Sequence, residues 1–158
     1  MFRGTYQHSI DAKGRLSIPA RFRDVLNTST SINSLIITSY YEPCLVAYPL
    51  EEYHKFESEI NKLSSLNKDV RVLIRKICYG AHECEIDSHG RMLVPPILRN
   101  YAHLNKDVLL IGVLNKFEIW DKEVFETYEA DSDDLEVLAE KISKEHIKGN
   151  SEIFHMFF

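Results

Sequence analysis

The stretch "HSIDAKGRLSIPARFR", residues 8–23, is written a second time at residues 84–99 as "CEIDSHGRMLVPPILR". An offset of 76 matches Ile10 with Ile86, Asp11 with Asp87, Gly14 with Gly90, Arg15 with Arg91, Pro19 with Pro95 and Arg23 with Arg99. Glycine, proline, aspartate and arginine have distinct backbone or charge roles, so six such identities in sixteen positions mark a duplication. The fold has to be one that uses two copies of the same phrase.

Each copy reads locally as strand, turn, strand, short helix, strand, strand. "TYQHSI" and "RLSIP" are short β-prone runs around "DAKG", with Asp first and Gly fourth, as a type I turn or bulged hairpin prefers. Gly14 and Gly90 stand where the chain is expected to need positive φ. Period-2 alternation sets Ile10, Leu16 and Ile18 on one face and Ser9, Arg15 and Ser17 on the other, so Arg15 and Arg91 are expected to point outward beside their turns. Pro19, and Pro95 or Pro96, suit the first turn of short helices, "PARFRDVLN" and "PPILRNYAHL".

The likeness continues at an offset of 72, where "SLIITSYYEPCLVAYPLEEY" parallels "DVLLIGVLNKFEIWDKEVF" and Leu45, Tyr48 and Tyr53 meet Phe117, Trp120 and Phe125. The change of offset predicts a four-residue insertion in the first copy around "TSTS", residues 28–31. Phe117 and Trp120 lie in an alternating strand pattern and are read as core. Between the copies, residues 50–81 carry helical stripes, Tyr53, Phe56, Ile60 and Leu63, then Val70, Leu73, Ile74 and Ile77, with a break near "SSLN". An isolated hairpin is marginal, whereas two such units can close a shared barrel or sandwich and hide their edges.

A chain of 158 residues can bury a sizeable core without staples, and 44% hydrophobic with 27% charged residues is ordinary for a globular protein. No apolar run approaches the ~20 residues of a membrane span, and "MFRGTYQHSID" lacks a signal-peptide core, so a cytoplasmic protein is expected. Cys44, Cys78 and Cys84 form no C-x-x-C pair and are read as reduced packing residues. His82 and His89 have no recognised ligand spacing with Cys84 or Asp87, so neither metal nor cofactor is expected. No G-x-S-x-G, phosphate-cradling glycine loop or Cys–His pair supports an enzyme or a small-molecule substrate.

The net charge of −5 conceals segregation. Residues 123–140 hold eight of the 24 acidic residues and no Lys or Arg, which reads as a solvated helix face. A helix is expected to start near Glu123 and run on through "DDLEVLAEKISKEH", and the terminal "NSEIFHMFF", at a position where most chains fray, is expected either to dock on a neighbour or to form a sticky terminus. Residues 1–23 carry Arg3, Lys13, Arg15, Arg21 and Arg23 against Asp11 alone. A polyanion responds to such local fields over a Debye length of about 8 Å, not to the total.

"MFRG", both Asp-x-x-Gly-Arg phrases with their prolines, and "KFEIWDKEVFE" together resemble the MraZ family of bacterial transcriptional regulators, over roughly residues 1–128. The resemblance implies an α+β fold: two tandem SpoVT-AbrB-like swapped-hairpin β units forming a pseudo-twofold β barrel, with short helices and a helical linker. The corresponding divisions are a first unit at 1–54, a linker at 55–80, a second unit at 81–128 and an acidic helical extension at 129–158. It also implies ring-like homo-oligomers, binding to repeated double-stranded DNA elements upstream of the division and cell-wall gene cluster, and association with the nucleoid.

The family's DNA-contacting motif falls on Asp11 and Arg15, with Lys13 and Gly14 between, and on Asp87 and Arg91, with His89 and Gly90 between. Arg15 can fork onto guanine O6 and N7 or a phosphate, and Lys13 can supply a point charge to the backbone. The plainer alternative is an Asp11–Arg15 ion pair that only closes the turn. Arg3, Arg21 and Arg23 either hold phosphates or solvate a helix face. The second copy has His89 for Lys13, and Glu83 and Glu85 for Gln7 and Ser9, so DNA is expected to read chiefly the first. A protein-binding or antitoxin-type module is the alternative function, distinguished by a toxin-binding tail after residue 128.

Overall fold

The computed structural model describes residues 1–28 and 33–146, and the chain divides into two compact units, Met1–Phe125 and Glu126–Phe158. The first unit contains β1 (Thr5–Ser9), β2 (Arg15–Ser17), α1 (Ala20–Asn27), β3 (Ser34–Ser39), β4 (Leu45–Pro49), α2 (Leu50–Ile60) and α3 (Lys68–Gly80). The second copy follows as β5 (His82–Glu85), β6 (Arg91–Leu93), α4 (Pro96–Tyr101), β7 (Asp107–Val113) and β8 (Lys116–Asp121), leading into α5 (Lys122–Ala130). The protein is α+β, and all its strand pairs are antiparallel.

The strands form a six-stranded sheet ordered β1-β7-β8-β4-β3-β5 and a two-stranded ribbon, β2-β6. The hairpin suggested by "TYQHSI-DAKG-RLSIP" is therefore not a local pair. Only a single bridge, Ile10 to Leu16, joins the two arms, and all of β2 pairs with β6 of the other copy. The physical reason is burial: pairing β2 with β6 sets Leu16 opposite Met92, both fully buried, where one hairpin alone would leave its inner face wet. The matching bridge, Ile86 to Met92, joins the ribbon to β5.

Two registers express the duplication. Leu16 pairs with Met92, its own counterpart at offset 76, and Val46 of β4 pairs with Glu118 of β8, its counterpart at offset 72. Equivalent residues facing one another in both ladders are what a twofold relation between the copies produces. At the intervening strands Ile86 N donates to Asn33 O as Ile10 N donates to Lys106 O, an offset of 73. Three of the four inserted residues thus fall between Arg23 and Asn33, and the fourth lies in the β3–β4 connection. Ser29, Thr30 and Ser31 of the expected insertion lie outside the described residues, as does "NSEIFHMFF".

One core serves both copies. Phe22 of α1 packs edge-on against Phe2 at 5.3 Å and against Tyr6 at 5.1 Å, and lies 5.0 Å from Phe117 of β8. Ile10, Leu16 and Ile18 are buried while Ser9, Arg15 and Ser17 are not, as the alternation predicts. Phe117 and Trp120 are core residues, and the repeated pairs Tyr48–Tyr53 and Trp120–Phe125 are both aromatic contacts, at 5.7 and 5.3 Å. Cys44 and Cys84 are buried, but Cys78 is exposed on α3, because its place in the helix faces away from the sheet; it is not a packing residue.

The helices between the copies start five residues earlier than the expected linker, at Leu50, and break at 61–67. Asn67 caps α3, its side-chain oxygen accepting from Asp69 N at 2.8 Å, which is the local reason for the break near "SSLN". Asp121 does the same for α5, accepting from the backbone N–H of Glu123 and Val124. The acidic segment is not one helix: α5 ends at Ala130 and α6 runs Leu135–His146, with Asp134 accepting from Val137 N between them. Its acidic side chains from Glu126 to Glu145 are exposed, as a solvated face requires.

Candidate nucleic-acid interface

The Asp-x-x-Gly-Arg phrase builds the same turn twice. Asp11 N donates to Arg15 O at 3.0 Å and Gly14 N to Asp11 O at 2.9 Å, while Asp87 N and Gly90 N repeat the pattern at 2.8 and 3.0 Å. The Asp11 carboxylate accepts from Lys13 N and Arg15 N with one oxygen, and the other takes Arg15 Nε at 2.6 Å. Asp87 accepts from His89 N, Arg91 N and Arg91 Nε, the last at 3.3 Å. Gly14 has φ +87° and Gly90 φ +75°, a region open to glycine and strained for other residues.

The backbone N–H of Arg15, with help from its guanidinium, holds the Asp11 carboxyl below its ordinary range, and Arg91 N–H leads the same effect on Asp87. Both turns are therefore closed by ionised carboxylates at neutral pH. The ion pair does not exhaust Arg15: only Nε is engaged by Asp11, so the two terminal nitrogens remain as a planar fork whose direction the carboxylate fixes. The turn-closing and ligand-binding readings of Arg15 are compatible in one geometry.

The β2–β6 ribbon brings the two copies' arginines together. Arg15 pairs with Leu93 and Ser17 with Arg91, so these four share the outer face while Leu16 and Met92 point inward. Arg15 and Arg91 are diagonal neighbours, with Cα atoms roughly 7–8 Å apart in standard pleat geometry. Lys13 and His89 are exposed on the turns at opposite ends of the ribbon. The outer face thus reads Lys13, Arg15, Arg91, His89 from end to end, a row of basic or titratable side chains.

The other expected residues separate from this row. Arg21 is exposed on α1. Arg3 lies beyond the far end of β1, and Thr5 to Ile10 alone spans roughly 17 Å of strand, so Arg3 does not join the turns. Arg23 is half-buried; its Nε donates to Ile18 O at 3.2 Å, and its guanidinium lies against Gly90 of the other copy. Its counterpart Arg99 donates to Val94 O at 3.1 Å and lies against Gly14. Sequence reasoning missed Arg99 as a site residue, although its identity with Arg23 at offset 76 was the signal. Among the described residues no group of three His, Cys, Asp or Glu could hold a metal ion, and no helix is long and apolar enough to cross a membrane.

Two fused copies of one unit, with twin Asp-x-x-Gly-Arg turns flanking one ribbon that both copies build, define the class as a tandem-repeat α+β protein. The family model described as "MraZ protein, putative antitoxin-like" matches residues 1–76 and again 77–144, the boundary falling inside α3. The chain belongs to the MraZ family. It is 44% identical over 144 residues to a "Transcriptional regulator MraZ" of Acetivibrio thermocellus, covering 90% of this chain and 97% of that protein. Proteins of the same name match from Shewanella denitrificans, 44% over 85% of this chain and 89% of the relative, and from Clostridium tetani, 42% over 91% and 98%.

Proposed function

We propose that the outer face of the β2–β6 ribbon and its two turns bind double-stranded DNA, with Arg15 reading a base or phosphate and Lys13 holding the backbone. Family membership makes the chain a transcriptional regulator and not an enzyme. The observation that carries the DNA reading is the placement of Arg15 and Arg91, each partly exposed, as neighbours on the outer face of one ribbon. A two-stranded ribbon fits the major groove, and a fixed arginine fork matches guanine O6 and N7. Ser17 and the exposed Leu93 lie between and beside the arginines, and the acidic side chains bonded to Arg15 and Arg91 are the turn-closing Asp11 and Asp87.

Arg15 is the principal contact and Arg91 the secondary one, because Lys13 adds a fixed positive charge beside the first turn and the second turn has His89 in its place. Arg21 contributes a phosphate contact from α1, and Arg3, at the far end of β1, does not. Single bridges at Ile10–Leu16 and Ile86–Met92 join the ribbon to both edges of the sheet, and this supports a pseudo-twofold barrel with two narrow seams. Residues 1–54 and 81–128 act as the two repeat units, 55–80 as their linker and 129–158 as an acidic extension.

The protein assembles as a ring-like homo-oligomer that repeats the ribbon toward spaced DNA elements of the division and cell-wall promoter region, in the cytoplasm and on the nucleoid. Matched spacing raises avidity by about 10²–10⁴ without any new contact. The antitoxin-type alternative rests on the family description, but the tail it needs is helical from Leu135 to His146. The test is selection of bound DNA from random sequence, then anisotropy with Arg15→Ala on the selected site at fixed salt. A loss of about 1–3 kcal/mol supports the reading, and unchanged affinity with unchanged salt dependence overturns it.

A further inference from the structure

The two half-buried arginines do something that neither turn can do alone. A Cβ built on Gly14 would stand 2.6 Å from Arg99 Cζ, 2.8 Å from Nε and 3.0 Å from Nη1. Three nearly equal distances place that position over the face of the guanidinium. Gly90 stands over Arg23 in the same way, at 2.9, 3.0 and 3.0 Å. Each arginine belongs to the other copy.

The contact is locked at both ends. Arg99 Nε donates to Val94 O at 3.1 Å, and Val94 N donates to Gly14 O at 2.9 Å. One residue of the second copy therefore holds both the guanidinium and the turn it underlies. The mirror lock runs from Arg23 Nε to Ile18 O at 3.2 Å and from Ile18 N to Gly90 O at 2.9 Å. Gly14 immediately precedes Arg15, so a shift of its Cα re-aims the Arg15 fork, whereas Lys13 keeps a point charge near the DNA backbone through its long flexible stem.

We propose that Arg99 is the positioning residue of the first turn, so that DNA reading by Arg15 depends on an arginine of the second copy acting from beneath, while Arg23 serves the second turn. The proposal rests on the reading of Arg15 as a DNA contact. It explains why the downstream Arg of the phrase is written in both copies even where the turn's own charge is weakened: His89 replaces Lys13, yet Arg99 is still required by Gly14. Lysine cannot substitute, because it has no planar face for the glycine to rest on and no Nε–H to reach Val94 O in the same pose.

The test is a double-mutant cycle on the selected DNA at fixed salt: wild type, Arg15→Ala, Arg99→Ala and the pair, with folding followed by circular dichroism. Arg15→Ala alone is expected to lose roughly 5- to 150-fold, the range of one bidentate base contact. Arg99→Ala is expected to lose at least about fivefold with an unchanged salt slope, and the pair to bind no more weakly than Arg15→Ala. Additive losses, a reduced salt slope, or wild-type binding by Arg99→Ala would each overturn the proposal. If Arg99→Ala does not fold, Arg99→Lys takes its place in the same cycle under the same criteria. An Arg15→Ala variant that binds like wild type removes the DNA reading itself, which separates the two failures.

Discussion

Leu16 faces Met92 across the β2–β6 ribbon, each residue the counterpart of the other in the duplicated sequence and each without exposed surface. The ribbon therefore belongs to neither copy, and its outer face is assembled only when both copies fold together. This relationship connects the apolar core to the basic row above it: Leu16 and Met92 hold from below the strands that present Arg15 and Arg91.

Removing that support is expected to destabilise the whole first unit. Leu16→Ala should cost about 2–5 kcal/mol in urea unfolding, because a fully buried leucine leaves a cavity that a ribbon anchored at two seams closes poorly. Phe22→Ala should cost about 3–5 kcal/mol, since Phe22 touches Phe2, Tyr6 and Phe117. The transition should remain single for Met1–Phe125, because these contacts link residues from both copies.

Gly14→Ala and Gly90→Ala are each expected to destabilise by about 1–2 kcal/mol from the positive φ alone. Displacement of the guanidinium beneath each glycine adds to that cost. Differential scanning calorimetry should show Tm lowered in both, and DNA affinity lowered more by Gly14→Ala.

Gly112→Ala tests a different close approach. A Cβ there would collide with the backbone of Phe2 and Arg3. The substitution should break the paired hydrogen bonds between Phe2 and Leu114, 2.7 and 3.1 Å, and release the N-terminal segment to limited proteolysis. Protease resistance equal to wild type would show that the segment is held elsewhere.

The carboxyls that close the turns set a pH window. Asp11 and Asp87 have folded-state values below the ordinary 3.8, so they bind fewer protons folded than unfolded. Turn closure is fully present above pH ~4 and is lost as pH falls through the lowered values, so Asp11 and Asp87 add no pH dependence to DNA binding between pH 6 and 8. Chemical shifts of the Lys13 and Arg15 amides, followed from pH 7 to 2, should titrate only at the acid end. Asp11→Asn should abolish that titration.

The duplication, the turns, the inward alternation of Ile10, Leu16 and Ile18 and the break at "SSLN" were legible because each depends on local rules: glycine at positive φ, period-2 burial, a capping asparagine. The exchange of β2 and β6 was not legible from "TYQHSI-DAKG-RLSIP", which has the local chemistry of a hairpin; pairing choice is decided by which arrangement buries Leu16 and Met92. For the same reason Arg23 looked like a surface cation. Only the tertiary crossing places it under Gly90, and only that crossing makes Arg15 and Arg91 neighbours.

The central claim is that the ribbon's outer face meets DNA, and the most direct measurement is a titration of the selected DNA into isotope-labelled protein followed by amide chemical shifts. The account predicts that Lys13, Gly14 and Arg15 move first, followed by Arg91, with α2 and α3 unmoved. Shifts confined to α2, α3 or the acidic helices, with both turns unmoved at saturation, would contradict it.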